Sequence, residues 1–188
     1  MSSPNRSATP GIKISLSGCF SSGKTTMLGI LSHHFPEIVM YAELATATKT
    51  TCPGLDWRSD DVRGYLRWAQ VMVERQHEQA GGVGIFDGSY ADLVAHERLF
   101  GSRFAPVPET AEPLPYALAL VCDPDGVPLE INGIRETDSE LRRDLHVLVR
   151  EEVLRRSARV VDLRGTLEDR TATAIDAVEA LLRQHSAA

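Results

Sequence analysis

Cysteine is scarce in this chain: Cys19, Cys52 and Cys122 are the only three among 188 residues, an odd count without metal-ligand spacing. That argues against a disulfide framework or a zinc-built scaffold and fits a reducing, cytoplasmic setting. No apolar run approaches the roughly 18 residues a membrane-spanning helix needs, so no membrane partner is expected. Positive charge is also short. With 20 Lys and Arg against 26 Asp and Glu the formal net charge is −6, which provides no field to hold a polyanion, and nucleic acid is not expected as a partner. The six histidines share no ligand-like spacing, and no period of an internal repeat is found. Residues 1–10 are polar and Ser-rich with no apolar stretch, and read as a disordered leader rather than a signal peptide. The remaining 11–188 suffices for a single domain with its own core.

Against these absences stands one dense motif. Residues Gly18-Cys19-Phe20-Ser21-Ser22-Gly23-Lys24-Thr25 form a complete G-x-x-x-x-G-K-T loop. It is preceded by Ile12 to Ser17, which alternate apolar and polar residues as a strand does, and followed by Thr26-Met27-Leu28-Gly29-Ile30-Leu31, a helix-like opening. In that context the backbone N–H groups from Gly18 through Ser21, Ser22, Gly23 and Thr26 can turn around a phosphate, with the helix N-terminus adding its dipole. Lys24 is expected to reach the transferred phosphate, and the Thr25 hydroxyl to ligate Mg²⁺. Cys19 reads as a small filler whose backbone matters more than its sulfur.

Strand-like and helix-like segments alternate from end to end, which predicts an α/β domain: a three-layer P-loop fold with a five-stranded parallel sheet and helices on both faces. The expected strands are Ile12 to Ser17, Ile38 to Tyr41, Val83 to Phe86, Tyr116 to Cys122 and Arg159 to Leu163. The expected helices are the one opening at the loop, then Ser59 to Gln79, Ala91 to Phe100, Asp138 to Arg155 and Leu167 to Leu182. Tyr65, Trp68 and Met72 recur at helical spacing and are expected to face the core. Trp57, in a loop, is the better ligand-contact candidate of the two tryptophans.

Chemistry beyond the loop is assigned by where strands end. Asp87 follows an apolar strand and should stand at the sheet's C-terminal edge, where it can hold Mg²⁺ or accept a hydroxyl proton. Glu43 follows the second strand and should flank the same phosphate, although a plain helix-start glutamate explains it equally well. Sequence does not divide the two roles. Asn132-Gly133-Ile134-Arg135 lies before the charged helix and suits a lid over about residues 129–145, with Arg135 clamping phosphate oxygens. Arg142 and Arg143 are weaker clamp candidates. Gly165, with Thr166, could border a purine ring or simply cap a helix.

With these residues in hand, the pattern from Ile12 to Leu182 resembles the kinase domain of bacterial ribosylnicotinamide kinases and their AAA-type ATP-binding relatives. The serine pair inside the loop, Tyr41-Ala42-Glu43, Phe86-Asp87 and Asn132-Gly133-Ile134-Arg135 carry the resemblance. Ala47 and Asn132 depart from the family's usual arginine and aspartate. The resemblance implies ATP and Mg²⁺ as cofactors and transfer of a phosphoryl group to a hydroxyl of a nucleoside-like small molecule, and a homodimer is compatible with it. The alternatives are a regulatory or switch-type P-loop NTPase and a nucleotide-binding subunit. Two D-x-x-G strings, Asp123 to Gly126 and Asp162 to Gly165, follow the wrong strands for a GTPase, and no N-K-x-D motif occurs.

Overall fold

β1 (Ile12–Ser17) occupies the middle of a sheet whose strands were expected from their apolar runs. The computed structural model describes residues 10–52, 54–56, 59–101, 106–129 and 138–186. In chain order, α1 (Lys24–His34), β2 (Val39–Tyr41), α2 (Leu44–Thr51), α3 (Asp60–Ala80), β3 (Val83–Asp87), α4 (Tyr90–Phe100), β4 (Leu118–Cys122), α5 (Ser139–Arg156), β5 (Val160–Leu163) and α6 (Leu167–Ser186) follow. The five strands are ordered β2-β3-β1-β4-β5. Every pairing is parallel, with Leu16 beside Asp87 on one flank and Leu120 on the other. Parallel strands need crossover helices, which cover both faces and account for the near-continuous burial of β4.

The pleat of β1 divides the molecule into layers. Ile14 and Leu16 point to the face where Met27 and Leu31 of α1 meet Ala174, Ala177, Val178 and Leu181 of α6. On the opposite face Ala119 and Val121 of β4 pack against Ala91 and Ala95 of α4 and Leu145, Val149 and Val153 of α5. Lys13 also points to this side. Its ammonium is buried between Glu74 and Glu78 of α3, at 3.0 and 2.6 Å.

That ion cluster corrects the reading of α3. Tyr65, Trp68 and Met72 are not a core stripe: they are 65%, 41% and 70% exposed. The helix buries Gly64, Leu66, Arg67, Gln70, Val71, Glu74, His77 and Glu78 instead. Polar groups occupy that face because each finds a partner there, Arg67 on Glu97 of α4 and Glu74 on Lys13 of β1. An apolar-periodicity argument cannot anticipate such pairing. α2 is a further element that the apolar pattern did not announce; it carries no fully buried residue.

The helix ends follow their sequence signals more closely. The Ser59 side chain accepts from Val62 N, and Asp60 and Asp61 occupy the first turn of α3. Asp138 caps α5 by accepting from the backbone of Glu140 and Leu141. The C-terminal part of the expected lid, from Ser139 onward, is therefore the first turns of α5. Arg135, Asn132 and Trp57 lie outside the described residues.

Candidate nucleotide and acceptor site

The chain leaves the C-terminal end of β1 directly into the phosphate loop, at the point where its neighbours β3 and β4 run to opposite sides of the sheet. Crevices of this kind are where open α/β sheets bind ligands. Gly18 is required by its surroundings. At φ 149 a Cβ there would lie 2.7 Å from Ser22 Oγ and 2.8 Å from the Cys122 carbonyl oxygen. Gly23, at φ 89, is the residue that turns the chain into α1.

The loop is held from behind through its carbonyl groups. The Ser22 hydroxyl donates to Cys19 O at 2.9 Å, and Lys24 Nζ donates to Gly18 O and Cys19 O at 2.9 and 3.0 Å. Arg142 of α5 donates to Ser21 O at 2.8 Å and also to Pro124 O and Val127 O. Arg170 of α6 reaches Ser22 O, Asp123 O, Asp125 O and Gly165 O. Carbonyls directed at cations on the outside favour amide N–H groups directed inward, which is the polarity an anion cradle needs. Arg142 is thus a support of the loop, not a fork aimed at phosphate. Arg143 is exposed and donates to Ser139 O of its own helix.

Two carboxylates stand opposite the loop. Thr25 Oγ1 donates to Asp87 Oδ2 at 2.8 Å, while Asp87 Oδ1 is buried with no hydrogen-bond partner among the described residues. Burial pushes the Asp87 carboxyl up to about 6, with Glu43 and Asp92 adding to the rise and Lys24 and the Thr25 hydrogen bond opposing it. Burial also works against the charge on Lys24, yet the carboxylates of Glu43, Asp92 and Asp87 outweigh it and hold the ammonium above its ordinary range. Glu43 begins α2, accepts from the Thr46 hydroxyl and lies against Gly88, with its Cγ 3.4 Å from where a Gly88 Cβ would be. It is both the helix-start glutamate and a wall of the site.

An orphaned buried carboxylate oxygen beside a threonine hydroxyl is an all-oxygen, hard donor set, which fits Mg²⁺ held by few protein ligands and by phosphate and water. The adjoining cavity, about 510 Å³, is lined by Gly18, Ser21, Ser22, Gly23, Lys24, Thr25 and Thr26 at one end and by Glu43, Leu66, Gln70, His96 and Phe100 at the other. Burial lowers His96 to about 4, so its ring is neutral at pH 7. Gly165 does not line this cavity. It turns β5 into α6 at φ 84, beside the Thr166–Asp169 cap.

Asp92 escaped the reading of the sequence although it bears directly on the loop. Its Oδ1 accepts from Gly18 N at 2.9 Å, and its Oδ2 from Ser89 N and Ser89 Oγ in a reciprocal cap of α4. The Ser89-x-x-Asp92 spacing is a capping signal visible in the sequence. No local signal announces Arg170, whose loop partner Ser22 is 148 positions away.

The fold is the three-layer P-loop fold also seen in several solved kinases. Thymidylate kinase from Candida albicans superposes with a TM-score of 0.55 at 17% identity, over 91% of this chain and 92% of that one. Deoxyadenosine kinase from M. mycoides gives 0.60 at 12% identity over 90% and 100%, and NadR protein in complex with NR gives 0.62 at 20% identity over 91% of this chain. The chain spans 51% of that NadR chain. Comparison with curated protein sequences finds no match. The AAA domain family matches residues 13–170, and the chain belongs to that family.

Proposed function

We propose that the protein is an ATP- and Mg²⁺-dependent kinase that transfers the γ-phosphoryl group to a hydroxyl of a nucleoside or nucleoside-like metabolite. The observation that carries this reading is the single cavity joining a phosphate loop to a second chamber walled by α2, α3 and α4. A nucleotide switch needs the first part only. The nucleoside, nucleotide and NadR proteins of the same fold support a small-molecule acceptor.

In this reading the loop N–H groups and Lys24 bind the β- and γ-phosphates, and Thr25 with Asp87 holds Mg²⁺. When bound, that ion neutralises charge on the phosphate oxygens. Glu43 orients the acceptor hydroxyl, which attacks the γ-phosphorus as the bond to the bridging oxygen breaks and ADP leaves. The hydroxyl proton passes to a site carboxylate. Asp87 suits metal organisation because its bonded partner is Thr25; Glu43 suits the hydroxyl because it faces the second chamber. Arg135 belongs to the segment entered from Val127 and Pro128, which line the cavity, and completes the proposal as a lid cation.

The test is ADP release with ATP and Mg²⁺ across a panel of ribosides. Release that depends on the riboside and yields a phosphate ester is expected. Hydrolysis that proceeds equally without any acceptor would favour the switch-type NTPase instead.

A further inference from the structure

The second chamber contains one polar group whose orientation is fixed from behind. Gln70 of α3 is buried and lines the cavity, and its Nε2 donates to Glu74 Oε1 at 2.9 Å and faces Gly88 O at 3.5 Å. Both neighbours are acceptors. Turning the amide over would set its carbonyl oxygen against two oxygens, so the nitrogen must face inward. Glu74 cannot turn aside to permit it, because its own carboxylate is fully buried and accepts from Tyr116 Oη at 2.6 Å, Tyr90 N at 2.9 Å and Lys13 Nζ at 3.0 Å. The Gln70 Oε1 accepts from no described residue.

Charge on the same walls bears on what the oxygen meets. Lys24 serves the phosphate loop, and Arg63 is tied to Asp60 and to Gly101 O. Arg67, behind the wall, is buried on Glu97 at 2.5 Å. Among the described residues Glu43, Asp92 and Glu97 stand on the cavity surface with Lys49 as the one further cation. Among the described residues no arginine fork on these walls is left over for a second phosphate, while Leu66, Leu93 and Phe100 supply apolar surface for a ring.

We propose, resting on the kinase reading above, that Gln70 is the specificity-determining residue of the acceptor chamber. Its Oε1 takes a hydrogen bond from an N–H or O–H group on the ring of an unphosphorylated acceptor. Lys13 and Glu74 are positioning residues that keep the oxygen outward. A site built to pair with a donor rejects the analogue that lacks it, because the oxygen, once covered by the ligand, is then left unpaired.

Binding by titration calorimetry tests this without requiring turnover. Inosine and uridine are each compared with their ring-N-methylated analogues and with their monophosphates, on wild type and on Gln70→Leu. The parent nucleoside should bind about tenfold more tightly than its methylated partner, and the monophosphate should gain nothing over the parent. In Gln70→Leu the preference should disappear while ATP affinity, carried by the phosphate loop, is retained; Gln70→Met repeats the test should Leu disturb α3. A preference that persists in both variants is steric and overturns the inference, as does equal binding of methylated and parent nucleosides or binding of none. Selective nucleoside binding without phosphoryl transfer would remove the kinase reading and leave the Gln70 assignment standing.

Discussion

At the scale of single residues, Lys24 and Asp87 carry the strongest expectations, and the two separate cleanly. Among the described residues the Lys24 ammonium bonds loop carbonyls alone, and it is held in its charged form by three carboxylates. Lys24→Ala should therefore leave the fold intact while lowering turnover by a hundredfold or more, about 3 kcal/mol of transition-state stabilisation. Steady-state kinetics beside a thermal melt checks both halves, and near-normal turnover would contradict the role. Asp87 has the opposite relation to stability. Its folded pKa, about 6, is above the ordinary 3.8, so the folded state binds its proton more tightly than the unfolded chain does. The resulting cost is absent below pH 3.8, grows as pH rises, and is complete above about 6. Asp87→Asn should thus raise the stability of the unliganded protein at pH 7.5, by up to about 3 kcal/mol, and lose that advantage near pH 4. Its turnover should collapse. Urea unfolding at the two pH values decides the matter, and destabilisation by Asp87→Asn at pH 7.5 would count against a carboxylate kept for function.

At the scale of elements, α5 and α6 do more than cover the sheet. Each sends one arginine into the carbonyl groups of the phosphate loop, Arg142 to Ser21 and Arg170 to Ser22. Arg142→Met keeps apolar bulk but leaves the carbonyls of Ser21 and Val127 without this donor, while Pro124 O keeps the N–H of Val127. Unpaired buried groups of this kind cost about 1–3 kcal/mol each before relaxation or water offsets them. We expect a loss of about 2–4 kcal/mol in stability and a tenfold or greater loss of ATP affinity, measured by urea unfolding and calorimetry. Unchanged ATP affinity would show that the loop keeps its shape without α5. These supports also explain the two D-x-x-G strings. Asp123 and Asp125 lend their carbonyls to Arg170, and Asp162 pairs with Arg150, so each string is accounted for by a structural turn.

At the scale of the whole molecule, local pattern and long-range pairing divide what is legible in the sequence. The five parallel strands can be read because each is a short apolar run ending in a turn signal, and the loop because its glycines, Lys24 and Thr25 are contiguous. Asp87 can be read because a strand's end defines its position. Ser89 and Asp92 were legible as a cap but not as a contact to Gly18, which is formed only when β3 lies beside β1. The buried face of α3 is the clearest failure of pattern. Lys13, Gln70, Glu74 and Glu78 form a polar cluster beneath the cavity, so apolar spacing pointed to the exposed Tyr65, Trp68 and Met72 instead. Among the described residues no helix is long and apolar enough to cross a membrane.

The central claim is that one cavity serves both a nucleotide and a hydroxyl acceptor. The most direct measurement is to follow radiolabelled γ-phosphate from ATP in the presence of Mg²⁺ and a riboside, with wild type and Lys24→Ala side by side. The account predicts that label moves from ATP to the riboside in equal amount to the ADP formed, and that the variant transfers at least a hundredfold more slowly. Label appearing only as inorganic phosphate, at a rate indifferent to every riboside offered, would contradict it.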